Sequence, residues 1–180
     1  MEEKTRTSGT TTVDVVVVGG GGSGLAAASG AADAGRSVVL LEKNPQLGGS
    51  TALSVGSISA TGTPHQARAG IADSTEHHYE DMLKFSGKLI DRENVKLARM
   101  IADGAPDMFR WLLSTGLEFV GPFPEPPHRV SRMHNVLPNS RAFPYMLGRH
   151  CRRSGVDIRC GARVVKLMRE GGRVTGVVAE

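Results

Sequence analysis

Apolar residues bunch into short runs near the start and end of the chain and recur at helical spacing in between. Val13-Asp14-Val15-Val16-Val17-Val18 is a β-branched run too apolar to face water on either side, which predicts a central parallel strand covered by helices on both faces. Gly19-Gly20-Gly21-Gly22-Ser23-Gly24 breaks it, and the alanine-rich stretch Leu25 to Ala34 predicts a helix that stops at Gly35. Ser37-Val38-Val39-Leu40-Leu41, running into Glu42-Lys43, predicts a second strand that returns parallel through a right-handed crossover. Strand, glycine turn, helix and strand form a βαβ unit, so the fold class is α/β with a parallel central sheet.

Between Pro45 and about Gly70 small residues dominate, which predicts loops and a short helix that approach a ligand closely rather than a packed helical layer. Helical spacing returns over 75–90 (Tyr79, Met82, Leu83, Leu89, Ile90), over 92–103 (Val95, Leu97) and over 105–115 (Met108, Phe109, Leu112, Leu113), ended by Gly116. Residues 121–127 are Pro-rich and read as a stiff surface connection. A further helix is expected over 141–154 with Gly155 as its cap, then a strand from Val156-Asp157-Ile158. Residues 162–169 and 173–179 flank Glu170-Gly171-Gly172 as a β-hairpin.

Composition narrows the function classes. At 180 residues, 39% hydrophobic and 22% charged, the chain suits about one folded domain and excludes disorder throughout or a membrane-embedded body. The 4% aromatic content leaves few stacking surfaces for bases, and a net charge of +4 without a clustered basic face favours anionic partners without implying nucleic acid. Cys151 and Cys160 form no C-x-x-C pair, so no metal site is expected; they read as small buried or semi-buried hydrophobes. With a polar tail over 1–12 that lacks an apolar core or twin arginine, and no run of roughly 20 apolar residues, the expectation is a reduced, cytoplasmic protein without a membrane partner.

Candidate chemistry starts at Gly19-x-Gly21-x-x-Gly24. Between a strand and a helix, the first glycine permits the tight turn, the second lets backbone approach a pyrophosphate, and the third lets helix pack on strand. The helix N-terminus then offers N–H groups and a positive dipole end to phosphate. Glu42 ends the second strand, near the spacing of roughly 20 residues at which an acid binds a ribose hydroxyl pair. Gly22 and Ser23 join the set as turn residues. These features leave NAD and FAD both open.

Glu42-Lys43-Asn44-Pro45-Gln46-Leu47-Gly48-Gly49-Ser50-Thr51 resembles, in order and spacing, the segment after the second strand in the fumarate reductase and succinate dehydrogenase flavoprotein family. The resemblance continues to Ala60 and resumes at Gly155-Val156-Asp157-Ile158 and Gly172-Arg173-Val174-Thr175-Gly176-Val177, where it extends to ketosteroid dehydrogenase-like and urocanate reductase-like members. It implies a Rossmann-like FAD-binding domain of the GR2 type, holding FAD noncovalently because Ser50 stands where membrane-bound members carry the flavin-linked histidine. It further implies that Gly19, Gly21 and Gly24 line the pyrophosphate, Glu42 holds the adenosine ribose and Lys43 flanks adenine. Gly48, Gly49, Ser50, Thr51, Ser54 and Gly56 would present small surfaces to the ribityl chain and flavin edge, with Ser59 in the same loop, and Val164 would touch adenine through its main chain. Helix capping is the competing reading of Ser50 and Thr51, and plain core the competing reading of Val164. The implied organisation is a tail over 1–12, a βαβ unit with flavin-contact loop over 13–74, a helical excursion and Pro-rich loop over 75–127, and a return to the FAD domain over 128–180.

The implied activity is hydride transfer between flavin N5 and a substrate carbon. Family members carry their capping domain and substrate-binding residues farther along the chain, so catalytic residues are not assigned here, and a second half or partner chain is expected to complete the domain. His128, Arg129, Arg132, His134 and Arg141 gather around the Pro-rich loop as a candidate positive patch for a carboxylate-bearing substrate, against a solvated loop. His77-His78 read as helix surface, Tyr79 and Tyr145 as packing residues, and Arg149, His150, Arg152 and Arg153 as a wet helix face. Two other readings stay open: a noncatalytic nucleotide-binding subunit of a hetero-oligomer, and an NAD-binding Rossmann module.

Overall fold

The computed structural model describes residues 9–180, so the first eight residues of the expected tail lie outside the described residues. The chain divides into two compact units: residues up to Leu47 with Arg149–Glu180, and Gly48–Gly148.

In the first unit, β1 (Val15–Val18) leads through α1 (Gly22–Asp33) to β2 (Val38–Glu42), as the apolar runs predict. β1 and β6 (Asp157–Cys160) flank β2, and both pairings are parallel; Val18 sits beside Leu41, and Glu42 beside Cys160. Among the described residues the strand flanked on both sides is β2, buried at every position, rather than the 13–18 run. β1 is an edge of this sheet among the described residues, and its Val16 and Val18 are 36% and 55% exposed. Four valines announce a strand, but not how many neighbours it will have. Leu25, Ala28 and Ser29 of α1 are buried, and this helix packs on β1 and β2. Ser29 Oγ lies 3.2 Å from Cys151 Sγ, which donates to the Leu25 carbonyl at 3.4 Å; burial pushes that thiol up. Cys160 is exposed, contrary to the expectation of burial. A hairpin of β7 (Val164–Glu170) and β8 (Arg173–Ala179) turns at Gly171-Gly172, whose φ angles are 55° and 82°.

The second unit contains a sheet that the sequence reading misses. β3 (Ser57–Ser59), β5 (Met133–Leu137) and β4 (Glu118–Phe123) are antiparallel in the order β3-β5-β4. Pro122 falls inside β4 rather than in a plain connection. The strand tolerates it because β4 is an edge and its register shifts between Val120 and Phe123. α2 (Pro64–Arg68) starts with a capping box between Thr63 and Gln66, and α3 (Thr75–Ser86) with Ser74 accepting from His77 N–H. α4 (Val95–Ser114) runs unbroken through Pro106, where two helices were expected, and Ala98, Ala102, Ala105, Phe109 and Leu112 form its continuous buried stripe. One missing N–H costs less than abandoning that stripe. Phe109 stacks near Phe119 at 4.8 Å and near His134 at 4.5 Å, so an imidazole belongs to the aromatic core. α5 (Ala142–Arg153) follows the sheet.

Candidate functional site

The glycine turn is shaped by close contacts at Gly20 and Gly24 and by a positive φ at Gly19. Gly19 has φ +102°, and a Cβ on Gly24 would sit 1.9 Å from the Gly19 carbonyl oxygen, so the start of α1 lies directly on the turn. A Cβ on Gly20 would meet Leu47 Cδ2 at 2.4 Å. Gly21 is the N-cap of α1; no side chain caps this end and no acidic residue occupies its first turn, where Gly22, Ser23 and Gly24 lie. The end therefore suits an anion supplied from outside.

Glu42 is brought to the same place. Although it ends a strand, it is only 5% exposed; its Oε2 accepts from Gly20 N–H at 2.6 Å and its Oε1 from Asn44 N–H at 2.8 Å. Burial pushes its carboxyl up, but the Asn44 and Gly20 amides outweigh that and hold it below the ordinary carboxylate range. The charged acid thus braces the glycine turn and still has lone pairs for hydroxyl donors. Gly20, which the spacing rule passes over, is the residue that makes this link; the run of four glycines was its only sequence signal. Lys43 is exposed, and Val164 opens β7 opposite Ala179.

Gly48, Gly49, Ser50, Thr51, Ser54 and Gly56 lie in the second unit. Gly48 and Gly49 have φ +140° and +50° and lead into a 3-10 turn, Gly49–Leu53, whose N-cap is Gly48. Ser50 and Thr51 sit inside that turn, so neither caps it. Ser54 Oγ donates to Thr51 O at 2.8 Å and accepts from Gly56 N–H at 3.2 Å. Gly56 O accepts from Val136 N–H at 3.0 Å, and a Cβ on Gly56 would meet Val136 Cγ1 at 2.8 Å. A narrow, mostly exposed loop of small residues is thereby held against β5.

Residues 14–180 match the model of the FAD binding domain family. The chain belongs to that family. The cofactor is therefore FAD, which closes the choice against a simple NAD module. The turn at Gly19–Gly24, the uncapped helix end and the buried Glu42 fit such a dinucleotide. The chain is 32% identical over 141 residues to a protein of Shewanella frigidimarina named as a probable fumarate reductase, covering 77% of this chain and 24% of that protein. Among solved structures, the open conformation of a flavocytochrome c3 fumarate reductase superposes with a TM-score of 0.84 at 31% identity, over 93% of this chain and 30% of that one. The 3-ketosteroid-Δ4-(5α)-dehydrogenase of Rhodococcus jostii RHA1, solved with 4-androstene-3,17-dione, superposes with a TM-score of 0.82 at 26% identity, over 98% and 43%. This FAD binding domain chain thus spans between about a quarter and two fifths of the length of these relatives.

The expected positive patch does not form. Arg132 is fully buried between Asp73 and Asp81; Arg129 pairs with Asp81 and Glu80; His134 is buried with Nε2 3.0 Å from Thr63 Oγ1; and the His128 side chain is 3% exposed. Burial, with the Arg132 charge, lowers the pKa of His128, and burial lowers that of His134. Arg141 remains exposed, beside an open and mostly apolar groove of about 690 Å³ lined also by Leu117, Leu137, Tyr145 and Met146. His78 is 1% exposed rather than on the helix surface. Asp73 and Asp81, the acids that absorb these cations, carried no sequence signal beyond lying near helical segments. Among the described residues no helix is long and apolar enough to cross a membrane.

Proposed function

We propose that this chain is the FAD-holding part of an oxidoreductase that acts on a carbon–carbon bond activated by a neighbouring carbonyl or carboxyl group, in the manner of a fumarate reductase or ketosteroid dehydrogenase. The observation that carries the reading is the hydrogen bond from Gly20 N–H to Glu42 Oε2, which joins the glycine turn and a ribose-competent acid in one cradle. In this reading the amides of Gly19, Gly21, Gly22, Ser23 and Gly24 face the pyrophosphate, Glu42 accepts from ribose hydroxyls, and Lys43 and the Val164 main chain border adenine. Gly48, Gly49, Ser50, Thr51, Ser54 and Gly56 border the ribityl chain and flavin, with no covalent link because Ser50 offers no imidazole. Bound FAD supplies hydride exchange at N5; this chain's residues bind it, orient it and exclude water from its phosphates.

Substrate binding and proton movement are assigned to sequence beyond these 180 residues or to a partner chain. A cytoplasmic setting follows in this reading from two free cysteines with no disulfide framework. A second reading, a noncatalytic subunit that contributes chiefly an interface, draws on the exposed Val16 and Val18 of β1 and Val165, Leu167 and Val174 of the hairpin. The test is the visible spectrum of the naturally occurring protein, with any co-purifying chain, before and after denaturation. Flavin released into solution supports the first reading. Flavin retained on the denatured chain refutes the noncovalent assignment, and a colourless, folded preparation that fails to take up added FAD refutes the cradle.

A further inference from the structure

Arg132 precedes β5 by one residue, and its side chain is 0% exposed. Its guanidinium forks onto Asp73, Nε to Oδ2 at 2.6 Å and Nη2 to Oδ1 at 2.7 Å, while Nη1 donates to Asp81 Oδ2 at 2.7 Å and to His128 Nδ1 at 2.9 Å. On the main-chain side, the Arg132 carbonyl accepts from Ala60 N–H at 3.0 Å, one step beyond the Ser59–Met133 pair, and so prolongs the β3–β5 ladder. The Ser131 carbonyl accepts from Gln66 Nε2 at 3.0 Å, and the same nitrogen donates to Asp73 Oδ2 at 3.1 Å. Gln66 also closes the capping box with Thr63, whose hydroxyl meets His134. The ion cluster is thereby wired to the backbone of residues 60–66.

We infer that Arg132 is a positioning residue for the flavin-contact segment 56–60, acting through its own main chain without touching cofactor or substrate. The inference rests on the reading above that the loop from Gly48 to Gly56, with Ser59 in its continuation, borders the flavin. β3 is three residues long, so the rung at Ala60 is a large part of what fixes its end. A buried guanidinium shared by two carboxylates cannot shift without leaving a charge unpaired in apolar surroundings, which holds residue 132 in one position. Lysine cannot reproduce the clamp, because an ammonium is a point donor and cannot present the parallel pair to Asp73 while reaching Asp81.

The test uses the full-length protein loaded with FAD, comparing Arg132→Lys with Phe109→Leu, which loosens the core of the same unit but leaves the rung intact. Arg132→Lys is expected to raise the dissociation constant for FAD about tenfold, the scale of one lost charged hydrogen bond, and to alter the shape of the bound flavin's visible absorption band. Phe109→Leu is expected to lower the melting temperature and leave both flavin readouts unchanged. If Arg132→Lys fails to fold, Asp73→Asn is read in the same way, since it keeps the contact with Asp81. A folded Arg132→Lys or Asp73→Asn protein with wild-type FAD affinity and spectrum overturns the inference. Gly49→Val separates the two levels of the argument: if it too leaves the flavin undisturbed, the placement of flavin at 48–60 has failed, whereas a disturbed flavin there with an undisturbed one in Arg132→Lys condemns the positioning role alone.

Discussion

The two units are held together by different forces. The first relies on a fully buried β2 of Val38 to Leu41, the apolar stripe of α1 and a turn in which Gly20 and Gly24 have no room for a Cβ; its buried acid Glu42 is satisfied by backbone amides. The second has an aromatic core, but beside it lies a buried ion cluster in which Asp81 receives Lys84, Arg129 and Arg132, and Asp73 receives Arg132. Apolar packing is forgiving of small chemical changes, whereas a buried ion cluster fails abruptly when one member is lost. The nucleotide cradle should therefore be sensitive to shape, and the second unit to charge.

The contrast can be broken most directly at Asp81. Asp81→Leu removes the carboxylate shared by Lys84, Arg129 and Arg132, leaving Arg129 only Glu80 and the buried Arg132 only Asp73, and is expected to destabilise the protein by about 3–5 kcal/mol, read by chemical denaturation. At Gly24 the insult is steric: Gly24→Ala places a methyl group 1.9 Å from the Gly19 oxygen, and is expected to cost about 3 kcal/mol and to abolish measurable FAD uptake in a fluorescence titration. Acid sharpens the comparison further. Burial, reinforced by the Arg132 and His128 charges, pushes His78 down from 6.5 to about 4, so it stays neutral in the folded protein. As pH falls from about 6.5 to about 4 the unfolded chain takes up a proton that the folded chain refuses, and stability should drop by up to about 3 kcal/mol over that window. His78→Gln should flatten the curve there. Below it, burial pushes Asp73 up but the Arg132 fork dominates and holds the carboxyl at about 2, so its contribution is lost between about pH 4 and 2. At the small end, Arg141 is exposed and lies outside the cluster; Arg141→Ala should change stability by less than about 0.5 kcal/mol, and a larger effect would show that its side chain takes part in packing.

Much of the first unit was legible because its elements are local and their signals strong. A valine run, four glycines, an alanine-rich helix and a strand ending in an acid each speak for themselves, and Gly35, Gly155 and Gly171-Gly172 mark stops. What the runs do not carry is the number of neighbours each strand has: among the described residues β2 is flanked on both sides and β1 on one. In the second unit the opposite holds. β5 alternates, with His134 and Val136 turned inward, but a histidine counts as polar in any periodicity reading and the strand vanishes. In the sequence Arg132 reads as a free cation, because the acids that neutralise it lie 51 and 59 positions away. Opposite charges that meet only through tertiary structure leave no local trace.

The first unit is discontinuous in sequence, and this sets an order of events during synthesis. The end of β2 is secured by Gly161 N–H to Asn44 O and Ala162 N–H to Glu42 O, both at 2.9 Å, and by β6 alongside. A ribosome therefore delivers the glycine turn and Glu42 early but completes the support of the strand beneath them only when residues past 162 have emerged. The second unit, continuous from Gly48 to Gly148, is free to fold in the interval. The nascent nucleotide cradle waits, with its most apolar strand already made, for a partner strand about 115 residues downstream.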